Sequence, residues 1–258
     1  MIKFFRNIRK SLLMENKTSK YLKYAIGEIV LVVIGILIAL QVNNWNETRK
    51  EKKRLHHVLL NLKQDLKQDS TYFMNVYEVE KNLFLNSSEI LFKEHGSSVI
   101  RIEHDSVLGQ SFRFACFTPN IKSIRDAYQE LINSDLFSQI KSDLLKENIK
   151  AYYTQIDFLQ NYSEQAYPLC NQLILDLSHY YTIIIDIETE ARDVSDFSGA
   201  AENVFSTNYD LKGFREDKSL NPKLYDMVDI HKDRLGGLEI IRNLSNEIVA
   251  LLKKEYQL

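Results

Sequence analysis

Residues 25–42 read AIGEIVLVVIGILIALQV, an almost unbroken apolar run that follows a basic leader and is closed by Trp45. A membrane-spanning helix needs about 20 mainly apolar residues at roughly 1.5 Å each, so the strictly apolar core Ile29 to Leu40 requires help from its edges. Tyr21 and Tyr24 on one side and Trp45 on the other are amphipathic rings suited to headgroup depth, which brackets a span over residues 24–45 and puts Glu28 and Gln41 near its two boundaries. A cleaved signal peptide has the same outline, but no pair of small residues spaced for cleavage follows the apolar core, so an uncleaved anchor is expected. Glu28 at the edge reaches water or pairs with Lys20 or Lys23. Gly35 and Ala39 form one small-xxx-small pair, a weak signal for the packing of two anchors in a homo-oligomer.

The leading residues 1–23 form a basic segment, and through residue 24 they carry Lys3, Arg6, Arg9, Lys10, Lys17, Lys20 and Lys23 against Glu15 alone. Ile2, Phe5, Ile8 and Leu12 share a helical stripe, as in a helix lying on an anionic membrane; a frayed basic tail fits equally. The charge bias places the N-terminus in the cytoplasm and the bulk of the chain in the periplasm of an inner membrane, although Arg49, Lys50, Lys52, Lys53 and Arg54 follow the span and pull the other way. Taking the leader's seven basic and one acidic residues from the chain's 33 Lys and Arg and 35 Asp and Glu leaves 26 against 34. That acidic balance argues against nucleic-acid binding, which rests on a basic patch.

Eight Gly and three Pro are too few to punctuate a many-stranded sheet, so the sequence predicts an all-α chain. Leu55, Leu59, Leu62 and Leu66 recur at alternating four and three spacing, with no Gly or Pro between Trp45 and Gly96, and predict a stalk helix over 46–95 that carries on from the transmembrane helix. Asp69 and Glu80 interrupt the stripe, which favours packing within its own domain over a free coiled coil. An antiparallel helical bundle is expected over 96–258. Its parts are a short strand or connector near Val99 to Ile102, a helix opened by Thr118, Pro119 and Asn120, and a turn over Asp135 to Ile140. A long helix capped by Ser142 and kinked at Pro168 follows, then loops and short helices over Thr182 to Leu220, and last a helix opened by Pro222. Tyr152, Tyr153 and Tyr162 at helical spacing read as core rather than as a ligand cage. Gly236 and Gly237 mark a weak point or a close helix contact in the last helix. Cys116 and Cys170 form either one disulfide or two buried thiols.

The segment GEIVLVVIGILIALQ, Gly27 to Gln41, followed by NNWNE, Asn43 to Glu47, resembles the hallmark of an uncharacterised membrane-protein family common in Bacteroidota, domain-of-unknown-function family 6090. The PN pair Pro119 and Asn120 before a tyrosine-bearing helix fits that family more loosely. The resemblance implies a single-pass protein with a helical extramembrane domain; it brings no catalytic or binding residue and no cofactor.

The residues themselves point first to a non-enzymatic, membrane-anchored interaction or scaffold module of the bacterial envelope. Asn43, Asn44, Trp45, Asn46 and Glu47 are its candidate contact with an unidentified envelope protein, and a simple interfacial anchor is the plainer reading of the same five residues. A ligand-sensing bundle that signals through a partner is the second hypothesis. Catalysis is a distant third: none of His56, His57, His95, His104, His179 and His231 sits in metal-ligand spacing, and phosphate loops and nucleophile elbows are absent.

Overall fold

A computed structural model describes residues 18–96, 105–185 and 205–258. The expected helix over residues 1–14 and the connector near Val99 to Ile102 lie outside them, as do residues 186–204 of the stretch between Thr182 and Leu220. The first helix, α1, runs Thr18–Val79; its backbone widens to a π-turn over Glu80–Leu85 and resumes as α2, Asn86–His95. Gly96 accepts the end of α2, its amide bonding back to the Phe92 carbonyl at 3.2 Å. Then follow α3, Asp105–Phe114, and α4, Asp126–Asn133, with a 3₁₀ turn at Leu136–Gln139. The remaining elements are α5, Asp143–Leu177; the strands β1, Tyr181–Ile185, and β2, Phe205–Tyr209; α6, Leu211–Glu216; and α7, Leu220–Tyr256.

The chain divides into two units, Met1–His57 and Val58–Leu258. The stalk expected over 46–95 is therefore shared: Val58 to His95 belongs to the same unit as the bundle. The reason is the leucine stripe, because Val58, Leu59, Leu62, Leu66 and Leu91 are fully buried and a solvated stalk would leave them wet.

Side-chain pairs give the helix directions in the second unit. Between α5 and α7 they are Asn148 with Glu247, Tyr162 with Asp233, Cys170 with Met227 and Asp176 with Lys223, so the two helices run antiparallel. Tyr77 pairs with Glu239, and Glu80 with Arg234, so α1 also runs antiparallel to α7. Asp69 pairs with Tyr152 of α5. Cys170, Leu173 and Leu177 of α5 and Leu224 and Met227 of α7 share one core cluster with Leu91 of α2, Phe112 of α3 and Phe214 of α6.

Local chemistry accounts for most boundaries. The Ser142 hydroxyl accepts from the Leu145 amide at 3.3 Å and starts α5. Pro222 sits in the first turn of α7, where its missing N–H costs nothing. Pro168 lies inside α5, which continues unbroken to Leu177.

The expected start of α4 at Thr118 to Asn120 is corrected by the structure. Residues 117–125 are non-helical, and α4 begins at Asp126 because α1 supplies its cap. Asp69 accepts from the Ile124 amide at 3.0 Å and Asp65 from the Ala127 amide at 3.3 Å. Two carboxylates at a helix N-terminus oppose its positive dipole end. The loop-and-helix reading of Thr182 to Leu220 is also amended, since β1 and β2 pair antiparallel with Tyr181 opposite Tyr209 and Ile185 opposite Phe205. The run Tyr181 to Ile185 is β-branched and aromatic, the composition that fits a pleated pair.

Adjacent glycines in α7 have opposite roles. A Cβ on Gly237 would fall 2.4 Å from Cδ2 and 2.9 Å from Cγ of buried Leu159, whereas a Cβ on Gly236 meets open space. Gly237→Ala is expected to destabilise the fold by about 1–3 kcal/mol through overpacking. Gly236→Ala gains up to about 1 kcal/mol of helix propensity. Chemical-denaturation midpoints of the two variants moving in the same direction would contradict the close α5–α7 contact.

Candidate functional site

The first unit carries an apolar surface that stands exposed among the described residues. From Ile26 to Val42 every large apolar side chain is between 46 and 66 % exposed, on all sides of α1. A soluble core helix buries one stripe and hides it; a helix apolar all round needs an apolar solvent. One helix of the described residues is long and apolar enough to cross a bilayer, and this is it. Its backbone groups are hydrogen-bonded within the helix, as a bilayer interior demands. Glu28 is half-buried and Gln41 exposed, each at one edge of the run.

The five residues Asn43, Asn44, Trp45, Asn46 and Glu47 all lie exposed on α1 just past that surface. Being consecutive, they spread round the helix at about 100° each and form a ring rather than one face. The Thr48 hydroxyl donates to the Asn44 carbonyl at 2.9 Å, and the Lys50 ammonium pairs with Glu47 at 3.0 Å. The Arg49 guanidinium lies over the Trp45 ring, 5.9 Å from its centroid.

The second unit holds a buried polar centre that sequence spacing did not reveal. Glu80, the first residue of the π-turn, is fully buried together with His231 and Arg234 of α7. Arg234 donates from Nε to Glu80 Oε1 at 2.9 Å and from Nη2 to Oε2 at 3.2 Å, a bidentate grip. Its Nη2 also donates to the Pro119 carbonyl at 2.8 Å, and its Nη1 to the Ser163 hydroxyl of α5. His231 places Nδ1 2.7 Å from Glu80 Oε1 and Nε2 3.0 Å from the Ala115 carbonyl, so both ring nitrogens face acceptors. The centre ties α1, α5, α7 and the 115–119 segment to one another, and the π-turn is the local rewinding that turns Glu80 inward.

A second polar network sits nearby on α1. Asp69 accepts from the Tyr152 hydroxyl at 2.9 Å as well as from Ile124, and Tyr152 stands perpendicular to Tyr153 with centroids 5.0 Å apart. Both tyrosines are buried, which makes this part of the aromatic stripe core. Desolvation raises the Asp69 carboxyl above the usual range despite those two donors. At the far end of the unit the two Ser219 donors and the Tyr180 hydroxyl hold Asp217 down at about 2.

The signs differ. A carboxyl raised on folding adds stability below its ordinary pKa and loses it as pH climbs through the folded value; one lowered on folding adds stability above about 3.8 and loses it as pH falls towards 2. In a carbon-13 carboxyl titration Asp69 is therefore expected to protonate before Asp217 as the pH is lowered; the reverse order would contradict the burial of Asp69.

Cys116 and Cys170 are free thiols in the same core cluster, with the Cys170 sulfur 3.5 Å from that of Met227. Burial pushes both thiols up, which leaves them as weak nucleophiles. Among the described residues no group of three or more His, Cys, Asp or Glu is placed to hold a metal ion.

The fold and its exposed helix define an all-α chain with one candidate membrane span among the described residues. Residues 28–108 match the model of a family of unknown function, DUF6090, the family that the opening residues resemble. The matched segment contains most of the apolar helix, the Asn43 to Glu47 ring, Asp65, Asp69 and Glu80, while the partners of those acids, Tyr152, His231 and Arg234, lie beyond it. No curated protein and no solved structure matches the chain.

Proposed function

We propose that this protein is a single-pass, membrane-anchored helical module that acts by binding a partner in the bacterial envelope and not by catalysis. The observation that carries this reading is the all-round exposure of the apolar residues Ile26 to Val42, an area far beyond what a soluble monomer leaves uncovered. The basic leader favours a cytoplasmic N-terminus, which puts Val58–Leu258 on the periplasmic side. The ring Asn43 to Glu47 is the contact surface, because its amides and indole stand at the membrane edge where a neighbouring subunit's helix meets both lipid and water. A rigid bundle locked by the Glu80 centre suits a scaffold, which must hold its shape while a partner docks.

The test is photo-crosslinking in native membranes with a reactive residue at Thr48, beside the ring. A discrete crosslinked partner that is lost in the Asn43→Ala, Asn46→Ala double variant supports the reading. Recovery of the same product from the double variant removes the ring from it.

A further inference from the structure

The basic cluster beyond the span is sorted by the helix in a way that linear sequence conceals. With about 100° per residue, Trp45, Thr48, Arg49, Lys52, Lys53 and His56 fall within one face of α1, while Glu47 and Glu51 fall about 200° and 240° round from Trp45. The two acids therefore stand on the opposite side, where Lys50 already pairs with Glu47 at 3.0 Å. All six residues of the cationic face are exposed, and they line one shallow groove along the helix. Arg49 is drawn over the Trp45 ring at 5.9 Å, which draws a guanidinium towards the indole at the end of the apolar surface.

From these placements the geometry points to a binding site for the phosphate headgroups of anionic phospholipids on the face Trp45, Arg49, Lys52, Lys53 and His56. The inference rests on the membrane-anchored reading. Trp45 seats at the interface, as indole rings do. Arg49 lies about 6 Å further along the axis and Lys52 and Lys53 about 10 to 12 Å, and their side chains lean back along the helix towards the headgroup layer. Zwitterionic lipid offers the same phosphate with its charge cancelled by the amine, so charge is what selects the ligand. Each basic side chain near an anionic surface contributes about fivefold in affinity, an effect that added salt weakens.

Trp45 is the chain's single tryptophan and so reports on its own site. The experiment places the full chain in mixed vesicles of phosphatidylcholine and phosphatidylglycerol at fixed proportions, with either one lipid or the other brominated, and reads quenching of Trp45 fluorescence. The expected result is a preference of at least about fivefold for the brominated phosphatidylglycerol beside Trp45, lost in the triple variant Arg49→Gln, Lys52→Gln, Lys53→Gln. Continued quenching of that variant by brominated phosphatidylcholine establishes that it is still inserted. Equal quenching of the unaltered chain by both lipids overturns the headgroup site and leaves the membrane anchor standing. Absence of quenching by either lipid overturns the anchor itself and the site with it.

Discussion

Glu80→Gln is expected to destabilise the second unit by about 3–5 kcal/mol, the cost of removing one partner from a buried charge pair. The substitution keeps the volume and one carbonyl acceptor but leaves the Arg234 guanidinium without a counter-charge at a site that water does not reach. His231 and Arg234, which both contact Glu80 Oε1, are left with one neutral carbonyl acceptor between them. Arg234→Met is expected to cost a similar amount for the mirror reason, since Glu80 then stays buried beside His231 alone. The double variant Glu80→Met, Arg234→Met should cost much less than twice the loss of one partner, because apolar groups of similar size replace the pair and the two positions share one network. Glu78, two residues away, is exposed and accepts from the nearby Asn82 amide at 2.8 Å, so Glu78→Gln should stay within about 0.5 kcal/mol. Guanidinium midpoints of the full chain in detergent micelles read all four. Equal midpoints for Glu80→Gln and Glu78→Gln would mean that the centre is hydrated and does not hold the helices together.

The other large effect belongs to the first unit. Placing Arg at both Ile34 and Leu37, in the middle of the apolar helix, costs about 2.5–3.5 kcal/mol per residue for insertion at a bilayer centre. Both side chains are exposed in the chain as it stands, so neither substitution disturbs a packed core. The double variant is therefore expected to move from the membrane pellet to the soluble fraction after alkaline extraction. Its second unit should keep its unfolding midpoint, since residues 34 and 37 lie outside it. Retention of the variant in the pellet would assign membrane attachment to another segment.

The elements legible in the sequence are those whose causes are local. The leucine stripe, the Ser142 cap, Pro222 and Gly96 each act through neighbours within a turn or two, and the structure places helix ends where they predict. Asp69 and Glu80 were visible as interruptions of an apolar stripe, and that was the available signal for both buried networks. What it lacked was the partner: Tyr152, Ser163, His231 and Arg234 come from helices 71 to 154 residues away in sequence from the groups they bond. The late start of α4 escaped for the same reason, because its cap is supplied by α1 and not by Thr118 or Asn120. Strands β1 and β2 escaped because 19 intervening residues hide the pairing, and a five-residue apolar run alone does not separate a strand from a helix.

On the membrane-anchored reading, α1 from Ile29 to Val42 faces lipid on every side. Spin labels placed one at a time along this stretch in reconstituted vesicles, with relaxation by oxygen and by a water-soluble nickel complex, read that exposure residue by residue. High oxygen and low nickel accessibility is expected at every position, deepest near Ile34, with no helical periodicity. A repeat of about 3.6 residues in nickel accessibility would place one face of the helix in water and contradict it.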